Sequence, residues 1–226
     1  MWWQVVVGGI ITILTAVIVE YLRTPSLKLS IETPPIDVNY GAGRPAKDMR
    51  SLRLKLFSKA LPNSLRWLQR APALQCRGKV TFHHLDDGQD VFGRAMAVRW
   101  SASPEPVPIQ AITTEGVRIQ IFDPMRLTTE SRVHVYPGEV ELLDVCARFD
   151  DDKDCYGWNN EAYFCDPPWR NPAWRLERGR YLVRVEVTSS GQKCVESFRL
   201  VNDVARSDFR LEPATPDDRQ RVYSAA

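Results

Sequence analysis

The chain lacks the short signatures of common catalytic sites. It contains no G-x-S-x-G turn, no P-loop, no G-x-G-x-x-G and no H-E-x-x-H pair. Histidine is scarce as well, at 3 residues. His83 and His84 are neighbours on a strand pattern and so point to opposite faces, and His134 stands alone. No nucleophile is placed beside a base, and a non-enzymatic protein is expected. A membrane-bound hydrolase would need a pocket of perturbed titratable groups that the residue pattern does not supply.

Cysteine is sparse, and its 5 copies are an odd number without framework spacing, which points to reduced thiols rather than a disulfide set. Cys76 is expected as a small buried residue and, with Cys194, as a free thiol. Cys146, Cys155 and Cys165 are too widely spaced for a C-x-x-C zinc knuckle and have no histidine nearby. An exported domain with a local bridge among those three is the alternative. Net charge is nearly absent too: +2 over 226 residues implies no general affinity for nucleic acid.

What the chain does contain is one long apolar run. From Val5 to Val19 there is no charge, only Val, Ile, Leu and Ala with Gly8, Gly9, Thr12 and Thr15 between them. With Trp2, Trp3 and Tyr21 as interfacial ends, about 20 residues at about 1.5 Å each match a hydrocarbon core of about 30 Å. Residues 1–23 are therefore expected to form a transmembrane anchor. A cleaved signal would need a basic start and a small-residue cleavage site; Ile18-Val19-Glu20-Tyr21-Leu22-Arg23 offers no such site. Small residues would permit close helix contact and a homo-oligomer, although no G-x-x-x-G is present.

Orientation follows from the bases. None precedes the run, whereas Arg23 and Lys28 follow it, and ten bases lie between Arg44 and Lys79 against the single acid Asp48. The domain is expected on the cytoplasmic side, with Arg23, Lys28, Lys59, Arg66 and Arg70 facing anionic membrane lipid.

Beyond the anchor, residues 24–212 alternate as strands do. Leu27, Leu29 and Ile31 form one such face, and Leu52, Leu54 and Leu56 another. Pro34-Pro35 ends the first, and Asn39 to Lys47 reads as a loop. Leu74, Cys76, Gly78, Val80 and Phe82 make a third face, followed by an Asp86-Asp87-Gly88 turn and a return through Met96, Val98 and Trp100. Val117, Ile119 and Ile121 form a further strand that Asp123-Pro124 stops. Between Glu139 and Phe149 the alternation slips at Leu142-Leu143, implying a bulge or full burial. Residues 58–73 carry Leu61, Leu65 and Leu68 at helical spacing, either as a lid on the domain or as a basic element on the bilayer with Trp67 at the interface. The tail from Pro213 to Ala226 is expected to be flexible.

Leu176, Gly179, Tyr181, Val183, Val185 and Val187 form an L-x-x-G-x-Y-x-V-x-V string, closed by a Ser189-Ser190-Gly191 turn and a strand to Val201. This resembles the last hairpin of immunoglobulin-like and fibronectin-III-like domains. The strand pattern makes the fold mainly β, and the resemblance implies that the N-terminal transmembrane helix is followed by an Ig-like antiparallel β-sandwich.

Residues 150–174 read as a long loop. Tyr156, Trp158, Tyr163, Trp169 and Trp174 are candidates for contact with a protein partner, or for a small core of the loop's own. Asp150, Asp152, Asp154 and Glu161 fall at the ligand positions of an EF-hand Ca2+ loop, although Cys155 stands where the sharp turn wants glycine. Two function classes follow: a membrane-anchored binding or scaffolding module, or a ligand-sensing effector whose domain controls association of the helices.

Overall fold

The computed structural model describes residues 2–38, 48–65, 67–106, 109–112, 118–121, 132–167 and 169–224. The expected loop at 39–47, Arg66, Val117 and the Asp123-Pro124 strand end lie outside them.

The apolar run forms α1 (Trp2–Arg23), with none of its residues buried and a mean hydropathy of 2.3, enough in length and composition to cross a membrane. Its hydroxyls are satisfied within the helix, Thr12 Oγ1 donating to the Gly8 carbonyl at 2.9 Å and Thr15 Oγ1 to the Ile11 carbonyl at 2.8 Å.

The rest is mainly β. The strands are β1 (Leu27–Ile31), β2 (Ile36–Val38), β3 (Met49–Ser58), β4 (Ala73–His84), β5 (Met96–Ala97), β6 (Arg99–Trp100), β7 (Ile109–Ile112) and β8 (Arg118–Ile121). They continue with β9 (Val133–Val135), β10 (Val140–Phe149), β11 (Cys155–Gly157), β12 (Arg175–Leu176), β13 (Arg180–Ser189), β14 (Gln192–Val201) and β15 (Arg210–Pro213). One antiparallel sheet runs β1-β3-β10-β11-β12, with β2 and β6 added beside β3 and β10. The other runs β15-β14-β13-β4-β5, with β9 beside β4, and β7 and β8 form a separate hairpin. A single apolar cluster draws Leu52, Leu54, Leu56 and Leu143 from the first sheet and Val80, Phe82, Val183 and Val185 from the second.

The expected return strand Met96–Trp100 is shared between the sheets. Met96 pairs with Val80, then Trp100 pairs with Leu143. Arg99 is buried at this crossing instead of facing solvent, and it reaches Asp144 at 3.4 Å. In β10 both expected causes of the slip operate: the register shifts between Asp144 and Cys146, and Leu143 to Phe149 are all buried.

Two expectations are corrected. Between β3 and β4 the described residues hold a short 3-10 turn at Asn63–Leu65 and no helix of greater length, since Pro62 and Pro72 interrupt so short a run at helical spacing. The tail expected to be flexible contains α2 (Pro216–Ser224). Thr215 caps it: Thr215 N–H donates to Asp218 Oδ2 at 2.8 Å and Asp218 N–H to Thr215 Oγ1 at 3.3 Å, a capping box with proline at the first helical position.

The domain has two distinct ends. Leu27 pairs with Ser58, Val140 with Phe57 and Ala73 with Val135, so the starts of β1, β4 and β10 adjoin α1. The β13–β14 turn lies there too, Ser190 N–H donating to the Leu74 carbonyl at 3.2 Å. At the opposite end are Met49, Phe149, His84 and Arg210, and β1 stops short of it with Ile31 opposite Leu54.

Candidate functional site

The aromatic segment is mostly inside the molecule. Cys155–Gly157 adds to the sheet beside β10, Tyr156 pairing with Ala147, so the stretch expected as one loop is interrupted by a strand. Tyr156, Trp158 and Trp174 are only 7%, 6% and 3% exposed, which removes them from any contact surface. Trp158 stacks on Trp169 at 6.5 Å between ring centres and meets Tyr163 edge-on at 5.9 Å. Trp174 lies against Phe92 at 5.1 Å and donates from Nε1 to Glu161 at 2.9 Å. Tyr163 and Trp169 are half-buried, Trp169 holding the left-handed backbone at φ 67°. The segment is an accessory core.

The four carboxylates proposed for Ca2+ do not converge. Asp150 pairs with Arg206, Asp154 with Arg175 at 2.5 Å, and Glu161 with Trp174 and Asn171. Asp152 accepts from Tyr156 Oη at 2.6 Å and from Asp154 N–H at 3.0 Å. Burial works to raise the Asp152 pKa, but those hydrogen bonds outweigh it and hold the carboxyl below its ordinary value. Among the described residues, no group of three or more His, Cys, Asp or Glu side chains is placed to hold a metal ion. Each acid answers its own donor, which the one-dimensional spacing could not reveal.

The basic residues separate by position. Arg23 ends α1, Lys59 N–H donates to the Ser26 carbonyl at 2.8 Å, and Arg70 Nη1 donates to the Thr24 carbonyl at 2.8 Å, so these three gather where the helix joins the domain. Lys28 is exposed on β1. Arg66 is outside the described residues.

A cleft that the sequence did not signal opens at the far end, between β1, the edge of one sheet, and β15, the edge of the other. It measures about 420 Å³. Leu52, Phe209 and Leu211 are buried and supply an apolar floor, while Glu32, Arg53 and Arg210 are among the charged groups of the wall. Arg53 Nε donates to Asp144 Oδ1 at 2.6 Å, and Asp144 also accepts from Ser101 Oγ at 3.0 Å, so the guanidinium bridges the interior and the cleft. Arg50 grips Asp37 through two bonds of 2.8 and 2.7 Å and also donates to the Ser207 carbonyl. The Arg50 bond holds the Asp37 pKa below its usual value despite some burial, and the same pair raises that of Arg50.

Arg210 is occupied by Glu212 at 2.8 Å and the Asp208 carbonyl at 2.9 Å. Glu32 Oε2, in contrast, is buried without a hydrogen-bond partner. An orphaned buried acceptor is costly, and a ligand N–H would satisfy it. Apolar floor, guanidinium wall and free carboxylate oxygen together suit non-covalent capture of an amphipathic group carrying a hydrogen-bond donor.

The lining comes from residues 31–35, 50–53 and 207–211, segments that only the fold brings together. The lone adjacent signal was Pro34-Pro35, which ends β1 and frees its edge. The histidines lie elsewhere, with His83 bonded to the Gly88 carbonyl at 2.9 Å and to Thr81 Oγ1 at 2.8 Å. Comparisons with protein families, curated proteins and solved structures return no match, so the reading rests on the chain's own geometry.

Proposed function

We propose that the chain is a single-pass, membrane-anchored binding module without enzymatic activity, its β domain an immunoglobulin-like sandwich on the cytoplasmic side that captures a partner in the cleft farthest from α1. The observation that carries this reading is the pairing of an unburied apolar helix at one end of the domain with an open cleft at the other. Retention of the helix is supported by its junction. Ala71 N–H donates to the Arg23 carbonyl at 2.7 Å and Arg70 to the Thr24 carbonyl, so the residues where a signal would be cut are bonded into the domain.

The sandwich reading draws support from the apolar cluster common to both sheets and from Tyr181 Oη, which donates to the Glu177 carbonyl at 3.0 Å as the tyrosine of such folds does. The cytoplasmic side is supported by the bases that follow α1 and by five free thiols.

The test has two arms. Alkaline carbonate leaves the full chain in the membrane pellet and releases residues 24–226; release of the full chain overturns the anchor. A photo-crosslinking amino acid at Thr33, on the cleft wall, gives a discrete adduct in native membranes that Glu32→Ala abolishes. The same label at Glu186 gives none. Equal adducts from both positions overturn the cleft assignment.

A further inference from the structure

The junction of α1 with the β domain encloses a second cavity, of about 320 Å³, whose wall includes Tyr21, Thr24, Ser26, Arg70 and Lys193. Two cations line it. Arg70 is anchored through Nη1 on the Thr24 carbonyl, while its Nε is buried with no hydrogen-bond partner. Lys193 gives one N–H to Glu186 at 2.9 Å, and an ammonium has two more to offer. Glu186 is itself shared with Arg184 at 3.7 Å, so it does not neutralise the pair. The last carbonyls of α1 contribute about half a negative charge at this point. Arg70 meets the carbonyl of Thr24, the residue that follows α1, and two full cations exceed that opposing charge. The cavity therefore suits an anion with several acceptor oxygens.

Its depth says which anion. The uncharged run ends at Val19 and the cavity wall begins at Tyr21, well within one helical turn of about 5.4 Å. In a spanning helix that level is the headgroup layer, where Tyr and Trp anchor. The same end of the domain exposes Trp67 at 77% and Tyr136 at 51%, rings that an interface accommodates better than bulk water.

We propose that this cavity binds the phosphate of an anionic phospholipid, with Arg70 and Lys193 as the binding residues. The proposal rests on the reading of α1 as a retained anchor. Bound lipid would supply the acceptor that Arg70 Nε lacks and would fix the domain against the leaflet.

The experiment uses the full chain in nanodiscs of phosphatidylcholine and phosphatidylglycerol, with native mass spectrometry of the lipid retained on release. The wild type is expected to retain phosphatidylglycerol preferentially. Arg70→Gln and Lys193→Gln each reduce that preference about five- to tenfold, and Lys28→Gln, exposed on β1 outside the cavity, reduces it by less than about twofold. Lys193→Gln carries the test if Arg70→Gln fails to fold. Preference surviving in both cavity variants overturns the site, and equal loss in Lys28→Gln overturns it in favour of diffuse surface attraction. Excess inorganic phosphate is expected to leave retention intact; displacement by it would assign the cavity to free phosphate and overturn the lipid. A full chain released by alkaline carbonate overturns the anchor instead, so the two failures are distinguishable.

Discussion

Asp218 illustrates how one side chain organises a terminus. It is 1% exposed and paired with Arg199 at 2.6 Å and 3.0 Å while completing the cap of α2. Burial works to raise its pKa, yet the Arg199 and Thr215 hydrogen bonds prevail and hold it at about 2, below the ordinary 3.8. A depressed carboxyl stabilises the fold above its unfolded pKa and loses that contribution as pH falls toward the folded one. Asp218→Asn is expected to cost about 1–3 kcal/mol near neutral pH. In urea titrations the gap between variant and wild type should narrow below about pH 4 and close near about 2. A gap independent of pH would deny the ion pair its role. Thr215-Pro216-Asp217-Asp218 was readable as a helix start, but a short polar terminal stretch also fits a loose tail. The deciding partner, Arg199, is supplied only by tertiary contact.

Among the elements, β4 and β11 show where alternation is sufficient and where it is not. Cys76, Gly78, Val80 and Phe82 are buried as their spacing implies. Leu74 is 41% exposed because Gln75, at φ 55°, sits in a bulge between Ala73 and Cys76 and turns Ala73 inward instead. A bulge shifts the face of every residue before it. The strand of β11 was hidden for another reason: three residues are too few to show a period, and the surrounding aromatics suit surfaces and cores equally.

Gly157 is what admits β11 to the sheet. A Cβ there would stand 2.7 Å from Met96 Sδ and 3.1 Å from Trp174 Cβ. Gly157→Ala is expected to destabilise the fold by about 1–3 kcal/mol through overpacking, measured as a lower urea midpoint with an unchanged slope. A variant as stable as the wild type would mean that Met96 moves aside freely.

At the scale of the whole molecule, the sequence announced the apolar helix α1, both hairpin strands β13 and β14, and the uneven distribution of charge along the chain. It concealed the cleft, because Glu32, Arg53 and Phe209 have no mutual spacing to read. For the aromatic segment the sequence left a contact surface and a small core open, and Tyr156 and Trp158 pack in a core with Phe149. The cysteines provide a test of sidedness. Cys76, Cys146 and Cys155 are buried, with burial raising the thiol of Cys155 well above its ordinary value and that of Cys76 to about 11. Cys165 and Cys194 are half-exposed. In sealed right-side-out cells, an impermeant maleimide is expected to spare both, and to label them once the membrane is opened. Labelling in intact cells would place the domain outside.

Strand β3 carries Arg50 at the cleft and Ser58 at the α1 end, a separation of about 26 Å at about 3.3 Å per residue. With the Arg23 carbonyl at the end of α1 bonded to Ala71 and that of the next residue, Thr24, to Arg70, this strand acts as a ruler. Under the proposed anchoring and capture, a partner tethered to the same bilayer would need an arm long enough to climb that standoff, while a freely diffusing one would need none. Height alone would then sort the two.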